Sequence, residues 1–216
     1  GFGPLTFQPS ELAKLAVVLY MGSYLMRRQD EVRTGWWGFA KPMAVVLIGV
    51  ALLLAEPDFG ASVVMVAAAM AMLFLAGTPL LTFGVMFVLA TASAAVVAVA
   101  EPYRLKRLLS FTDPWADQFN SGYQLSQSLI AFGRGEWFGV GLGRSVQKLS
   151  YLPEAHPDFV FAVYAEEFGL AGVVLMIGLF WVLVRYAIRI GQAAELGGKL
   201  YGAYVAYGIA VLIGVQ

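Results

Sequence analysis

The sequence is organised around apolar runs that are long enough to cross a lipid bilayer, although several are short for it. Five or six of them can be distinguished, at residues 12–26, 42–55, 61–76, 81–100, 159–184 and 201–215. A helix perpendicular to the membrane needs about 20 residues, so the shorter runs must extend into their polar flanks. Hydrophobic residues make up 60% and charged residues 13% of the chain, more apolar than a soluble domain of this length usually is. The sequence therefore predicts an all-α polytopic membrane protein.

The charge balance and the missing residue types exclude several classes of function. The chain carries 14 basic and 14 acidic residues, so no global field attracts nucleic acid. It has no cysteine, which excludes disulfides and thiolate metal sites. It also lacks a nucleotide-binding loop, a zinc motif and a nucleophile elbow. The chain opens at Gly1 and ends inside an apolar run at Gln216, so we expect an internal fragment with one transmembrane domain over residues 1–216.

Basic residues near the ends of the spans predict the orientation in the membrane. They follow the first span and the fifth span, in two groups: Arg27, Arg28, Arg33 and Lys41, and then Arg185, Arg189 and Lys199. Short basic loops stay in the cytoplasm. Counting crossings from either group places the 56–60 turn and the long 101–157 segment outside, so the two counts agree.

The long outer segment at 101–157 holds most of the chain's polar residues. Between residues 122 and 132 apolar and polar residues alternate, which predicts a short interfacial or re-entrant helix rather than a span. A structural lid and a substrate groove are equally good interpretations of it. The basic residues of the segment suit a diphosphate, although lipid headgroups attract the same side chains. They are Arg104, Lys106, Arg107, Arg134, Arg144 and Lys148.

Asp158 lies where the outer segment re-enters the membrane. An ionisable group at that depth is costly unless it is hydrated, paired or functional. Pro157 directly precedes it, so Asp158 can stand near the start of the next helix, and local sequence alone favours a helix cap over a catalytic role. His156 is the only histidine; it can be a hydrogen-bonded spacer or a base, but cannot form a multi-histidine metal site.

Other charged residues stand at the ends of spans or inside them. Glu11 and Lys14 are three residues apart and share one helical face, either as a local ion pair or as a polar pair facing an internal cavity. At least one of Glu166 and Glu167 is expected to face the bundle interior. Glu56 and Asp58 need only terminate a turn.

Four motifs occur in order along the chain. They are QPSELAK at residues 8–14, EPDFG at 56–60, GYQLSQS at 122–128 and LPEAHPDFVFA at 152–162. Together they closely resemble the SEDS family (shape, elongation, division and sporulation), and the resemblance covers essentially the whole chain. The amino-acid sequence at residues 100–104, 113–115 and 145–149 is more similar to the division member of Gram-negative bacteria than to the elongation member.

The resemblance implies a fold and an activity. It implies ten transmembrane helices, of which this chain would hold the fourth to the eighth and part of the ninth. It also implies a peptidoglycan glycosyltransferase that polymerises lipid II during septal cell-wall synthesis, in the bacterial cytoplasmic (inner) membrane with its active site facing the periplasm. Asp158 matches the family's essential aspartate, and Glu11 and Lys14 match its paired charges in the central cavity. Pro157 departs from some relatives and should alter only the local turn.

Partners and cofactors follow from the same resemblance. It implies a class B penicillin-binding protein transpeptidase of the FtsI type and other divisome membrane proteins of the FtsQ, FtsL, FtsB and FtsN types. A divalent cation, Mg²⁺ or Mn²⁺, is expected and would be held largely by the substrate's phosphates. A lipid II flippase and a non-catalytic divisome scaffold are the alternatives. Besides the catalytic candidate Asp158, the substrate-binding candidates are Glu11, Lys14, Arg104, Arg107, Arg134, Arg144, Lys148 and His156, and no metal ligand is assigned.

Overall fold

The computed structural model describes residues 8–56, 58–100, 111–115, 122–145 and 160–216. Within these ranges the regular elements are α-helices and no strand occurs, which confirms the predicted all-α class. The helices are α1 (Pro9–Arg27), α2 (Gln29–Thr34), α3 (Trp36–Ala55), α4 (Phe59–Leu75), α5 (Leu80–Ala100), α6 (Tyr123–Gly135), α7 (Val160–Leu196) and α8 (Leu200–Val215).

The helices reproduce the predicted apolar runs, with differences at their ends. Helix α3 begins at Trp36 rather than at residue 42, so Lys41 lies on it and not in a loop, and Arg33 lies on α2. Helices α3, α5 and α7 are long and apolar enough to cross a membrane, and α4 and α8 are shorter apolar helices. The fifth run was predicted to end at residue 184, but α7 continues to Leu196. Arg185 and Arg189 therefore lie on a helix and not in a loop. The helix continues because no Gly-Gly or Pro interrupts it before Gly197 and Gly198, and Gly198 has a φ of 71°.

The described helices group into two compact units. The first comprises residues 1–94 and 180–216, and the second comprises residues 95–179. The prediction of a single transmembrane domain stays a prediction.

The first unit is built on the contacts of α1, α3, α4 and α8. Helix α1 packs on α4 and α8, and α3 packs on α4. Its core is aliphatic and methionine-rich, with Met21, Leu25 and Met65 wholly buried. Glycine lets α1, α4 and α8 approach closely: a Cβ atom on Gly208 would stand 2.6 Å from Val18 Cγ1 and 2.8 Å from the Met72 sulfur. Sulfur-containing side chains suit such irregular gaps.

The second unit contains α6, the first part of α7 and a ten-residue strap between them. We call residues 136–145 the strap; they follow α6 directly and are rich in glycine. Helix α6 confirms the short helix predicted at 122–132 and extends it to Gly135. Its interfacial position stays a prediction.

Candidate functional site

The first charged group lies in the first turns of α1. Lys14 Nζ is 2.6 Å from Glu11 Oε1, which confirms that the two side chains share one face. The lysine side chain is only 4% exposed, whereas the glutamate is 55% exposed. The pair therefore holds an ammonium group inside the helix bundle with its counter-charge at the surface. Its predicted role towards substrate stays a prediction.

The first two motifs meet at the starts of α1 and α4. Asp58 caps α4, since its Oδ1 accepts a hydrogen bond from the Ala61 backbone N–H at 3.0 Å. Its Oδ2 receives a longer bond, 3.4 Å, from the Gln8 side-chain amide. Asp58 thus terminates the turn, as one interpretation of the sequence had it. It also ties the turn to the segment that carries Glu11 and Lys14.

The second charged group surrounds Glu166 in α7. This carboxylate is 0% exposed, and both of its oxygens have partners. Arg134 Nη1, in the last turn of α6, lies 2.9 Å from Oε1. The Ser145 hydroxyl donates to Oε2 at 2.5 Å. The expectation that an acid at this position faces the interior is confirmed.

Helix α7 is interrupted at Gly169, shortly after Glu166 and Glu167. Gly169 has φ 65° and ψ −167°, a conformation that non-glycine residues rarely adopt. The next two backbone N–H groups consequently cannot bond within the helix. The Leu170 N–H donates to Glu136 O at 2.8 Å, and the Ala171 N–H donates to Trp137 O at 3.0 Å.

The carbonyl groups that the break leaves open are satisfied by the same strap. Glu166 O accepts from the Val140 N–H at 3.0 Å, and Glu167 O accepts from the Gly141 N–H at 3.2 Å. Strap and helix therefore exchange four backbone hydrogen bonds, two in each direction. Irregular backbone at membrane depth is tolerated only where protein satisfies it, and this arrangement meets that condition.

The exchange requires glycine where the two backbones touch. A Cβ atom on Gly135 would lie 2.2 Å from Ala165 O, and one on Gly139 would lie 2.1 Å from Glu167 O. Gly139 also has a φ of 79°. Broken membrane helices often use their open ends to bind ions. Here the strap bonds to backbone groups on both sides of the break.

The strap exposes its apolar side chains while its backbone is engaged. Trp137 is 69% and Phe138 is 86% exposed. Aromatic side chains of this kind favour the membrane–water interface, which agrees with the predicted setting of the segment.

The structure brings together only some of the predicted site residues. Glu11 and Lys14 pair in the first unit, and Arg134 and Arg144 lie in the second, where the Arg144 N–H donates to Gly141 O at 3.1 Å. The remaining candidates lie outside the described residues: Arg104, Arg107, Lys148, His156 and Asp158. Sequence reasoning missed Ser145 and the partnership of Arg134 with Glu166. Gly169, one of several glycines in this apolar run, was a weak sequence signal for the break.

The described ranges do not offer a ready-made metal centre. Among them, no three His, Asp or Glu side chains converge in a way that could hold a metal ion.

Comparison with known proteins identifies the family. Residues 1–216 match the family model for FtsW, RodA and SpoVE, described as cell cycle protein. The chain belongs to this family. The match confirms the family predicted from the four ordered motifs, and the apolar helices of this FtsW/RodA/SpoVE chain are those of a multi-pass membrane protein.

Similar curated relatives are named probable peptidoglycan glycosyltransferase FtsW. The relative from Pseudomonas fluorescens is 58% identical over 212 residues, which are 98% of this chain and 52% of the relative. The relative from Hahella chejuensis is 56% identical over 214 residues, 99% of this chain and 54% of the relative. The chain thus spans about half the length of these relatives.

A solved structure shows the same fold. It is described as structural coordination of polymerization and crosslinking by a peptidoglycan synthase complex, and its matching chain is 30% identical with a TM-score of 0.73. The match covers 99% of this chain and 58% of that chain.

Proposed function

We propose that the full-length protein is a peptidoglycan glycosyltransferase that polymerises lipid II into glycan strands during septal cell-wall synthesis. The observation that carries this proposal is 58% identity, over 98% of the chain, to a relative named probable peptidoglycan glycosyltransferase FtsW. The chemistry is consistent with a site at the outer membrane surface. No ATP is present there, so the donor must carry its own leaving group, and a lipid-linked diphosphate does so.

In the proposed reaction Asp158 acts as the general base. A sugar hydroxyl of the acceptor attacks the anomeric carbon of the donor, and its proton passes to the Asp158 carboxylate. The bond from that carbon to the diphosphate oxygen breaks, and the electron pair leaves with the lipid diphosphate. Basic residues of the outer segment would stabilise the charge that builds on this leaving group. Arg104, Arg107, Arg144 and Lys148 are the candidates for this role, and Arg134 is a candidate for binding the diphosphate before the reaction.

Partners, cofactor and location are part of the same proposal. The transpeptidase would be a class B penicillin-binding protein of the FtsI type, with FtsQ-, FtsL-, FtsB- and FtsN-type proteins as further divisome partners. The similarity to a chain from a peptidoglycan synthase complex supports the first of these. The protein would work at the septum of the cytoplasmic membrane with its site towards the periplasm. A divalent cation would arrive bound to the substrate's phosphates.

The test is polymerisation of labelled lipid II by the full-length protein, purified with its transpeptidase partner in the presence of Mg²⁺. Asp158→Asn preserves shape and hydrogen bonding but removes the base, so we expect the rate to fall by about 10²–10⁴-fold. Asp113→Asn is the matched control: Asp113 Oδ1 accepts from the Trp115 N–H at 3.2 Å, a bond that the amide oxygen can keep, and glycan ladders should persist.

Three outcomes would contradict the proposal in different ways. Normal ladders from Asp158→Asn would make that residue a helix cap rather than a base. Translocation of lipid II without any polymer from the wild type would favour the flippase. Neither activity, with a competent partner and cation present, would favour the scaffold.

A further inference from the structure

The ion pair between Arg134 and Glu166 is strongly asymmetric. The glutamate side chain is 0% exposed, whereas 43% of the arginine side chain remains exposed. A guanidinium group has five N–H donors in one rigid plane. Fixing Nη1 on the buried carboxylate fixes that plane, while the exposed part of the group keeps donors for a further acceptor.

The carboxylate is itself held in one orientation. Its second oxygen accepts the Ser145 hydroxyl at 2.5 Å, so the group is bonded through both oxygens. Glu166 stands three residues before the break at Gly169, where the strap is bonded to the helix backbone. The arginine is therefore attached to a rigid part of the second unit.

Other contacts also join these elements. The strap and α7 exchange four reciprocal backbone bonds, and Gly135 of α6 approaches Ala165 O closely. A buried carboxylate paired with a cation contributes little net stability, because desolvation offsets the attraction. Orientation of the guanidinium group is a function that the backbone bonds do not supply.

A second arginine lies beside the serine that bonds this carboxylate. Arg144 directly precedes Ser145 and is exposed, and its backbone N–H donates to Gly141 O. Planar guanidinium groups bind phosphate oxygens through two parallel hydrogen bonds.

We propose that Glu166 is a positioning residue, which orients Arg134 to bind a phosphate group of the lipid-linked substrate. The inference rests on the proposed glycosyltransferase function and adds a residue that acts through another. Glu166 does not touch the substrate; Arg134 does.

The experiment measures KM and kcat for lipid II with the full-length protein and its transpeptidase partner. Glu166→Gln keeps the shape and can still bond Ser145, but removes the charge that holds the guanidinium group. Arg134→Lys keeps the positive charge and removes the planar guanidinium group with its paired N–H donors. We expect each substitution to raise KM by about tenfold with kcat changed less than about twofold. The KM of the double variant should be no higher than that of the single variant with the higher KM.

The control is a partnered glutamate elsewhere on α7. Glu195 Oε2 accepts the Tyr207 hydroxyl at 2.8 Å, and Glu195→Gln should leave KM unchanged. A purely structural role for Glu166 predicts a different pattern: a lower thermal unfolding midpoint, with kcat falling and KM unchanged. That pattern, or independent and multiplying effects of the two substitutions, would overturn the inference.

Two further arms separate the remaining alternatives. The KM ratio between wild type and Glu166→Gln is measured in dodecyl maltoside micelles, which contain no phosphate, and in nanodiscs of phosphatidylglycerol. A ratio that persists in the micelles supports substrate binding, and one found only in phosphatidylglycerol would assign the phosphate to membrane lipid and overturn it. If the wild type makes no polymer, the proposed function fails; if it polymerises and Glu166→Gln has an unchanged KM, only this inference fails.

Discussion

Lys14 keeps an ammonium group almost wholly out of solvent at the beginning of α1. Its pairing with Glu11 follows from local spacing, because residues three apart face the same side of a helix. The sequence was therefore sufficient to predict this contact. It could not predict the contacts of Glu166, whose partners Arg134 and Ser145 lie far away along the chain and are brought close only by the strap.

We expect Lys14→Met to lower lipid II polymerisation by about tenfold or more while changing the free energy of unfolding by less than about 1 kcal/mol. Methionine fills a similar volume, and removing a buried charge together with the need to pair it is nearly neutral for stability. The rate is measured with the full-length protein and its partner, and stability by thermal unfolding in detergent.

Lys199→Met provides the comparison for this prediction, since Lys199 lies in the turn between α7 and α8. It should polymerise normally. If Lys14→Met polymerises lipid II at the normal rate, the ion pair with Glu11 serves only to make the burial of Lys14 tolerable.

Glu31 in α2 gives a pH-dependent contribution to stability. The hydrogen bond from Lys41 Nζ, 3.0 Å from Glu31 Oε2, is the main cause that lowers the pKa of this carboxyl below its usual value, and Arg28 also donates to it. A lowered pKa in the folded state stabilises the fold above the unfolded pKa, and this contribution is lost as the pH falls through the folded pKa.

Thermal unfolding of wild type and Glu31→Gln between pH 7 and pH 3 checks the expectation. The wild type should have the higher midpoint at pH 7, and the difference should shrink below about pH 4, where glutamate begins to protonate. Lys41→Met should show part of the same effect, because it removes this bond and leaves the one from Arg28. A difference that is constant with pH would show that the pair does not form.

At the scale of the elements, composition and periodicity were enough to predict that each helix exists, but not whether it is continuous. The spans and the short helix α6 were predicted because each has a strong apolar pattern over its whole length. The break in α7 was not, since a glycine inside an apolar run is commonly tolerated in a helix. Its φ of 65° depends on bonds to the strap, which is distant in sequence.

Two glycines of α7 allow the break to be tested. Gly169→Ala should lower the free energy of unfolding by at least about 3 kcal/mol, because the new Cβ would lie 2.4 Å from Gly139 N and the residue has a positive φ. Gly178 has nothing within 4 Å of its Cβ position, so Gly178→Ala should be neutral or stabilise by about 0.5–1 kcal/mol.

Thermal unfolding of both variants in detergent measures the difference. Equal midpoints for Gly169→Ala and Gly178→Ala would mean that α7 is continuous at Gly169.

At the scale of the whole molecule, the sequence predicted class, family and approximate spans. Composition alone decided the membrane class, and the order of four motifs decided the family, which the match over residues 1–216 confirms. Orientation and the ten-helix total remain predictions. Helices α5 and α7 expose most of their apolar side chains, which suits a membrane protein.

The reciprocal bonding of strap and helix has an evolutionary consequence. Main-chain atoms make the junction, so away from Gly135 and Gly139 it depends on how many residues separate its ends more than on which residues they are. Outward side chains such as Trp137 and Phe138 can diverge without breaking it, whereas a single insertion or deletion between Gly135 and Gly141 would shift donors past their acceptors. Related genes should therefore keep these glycines and the length of the stretch, and accumulate substitutions at its outward positions.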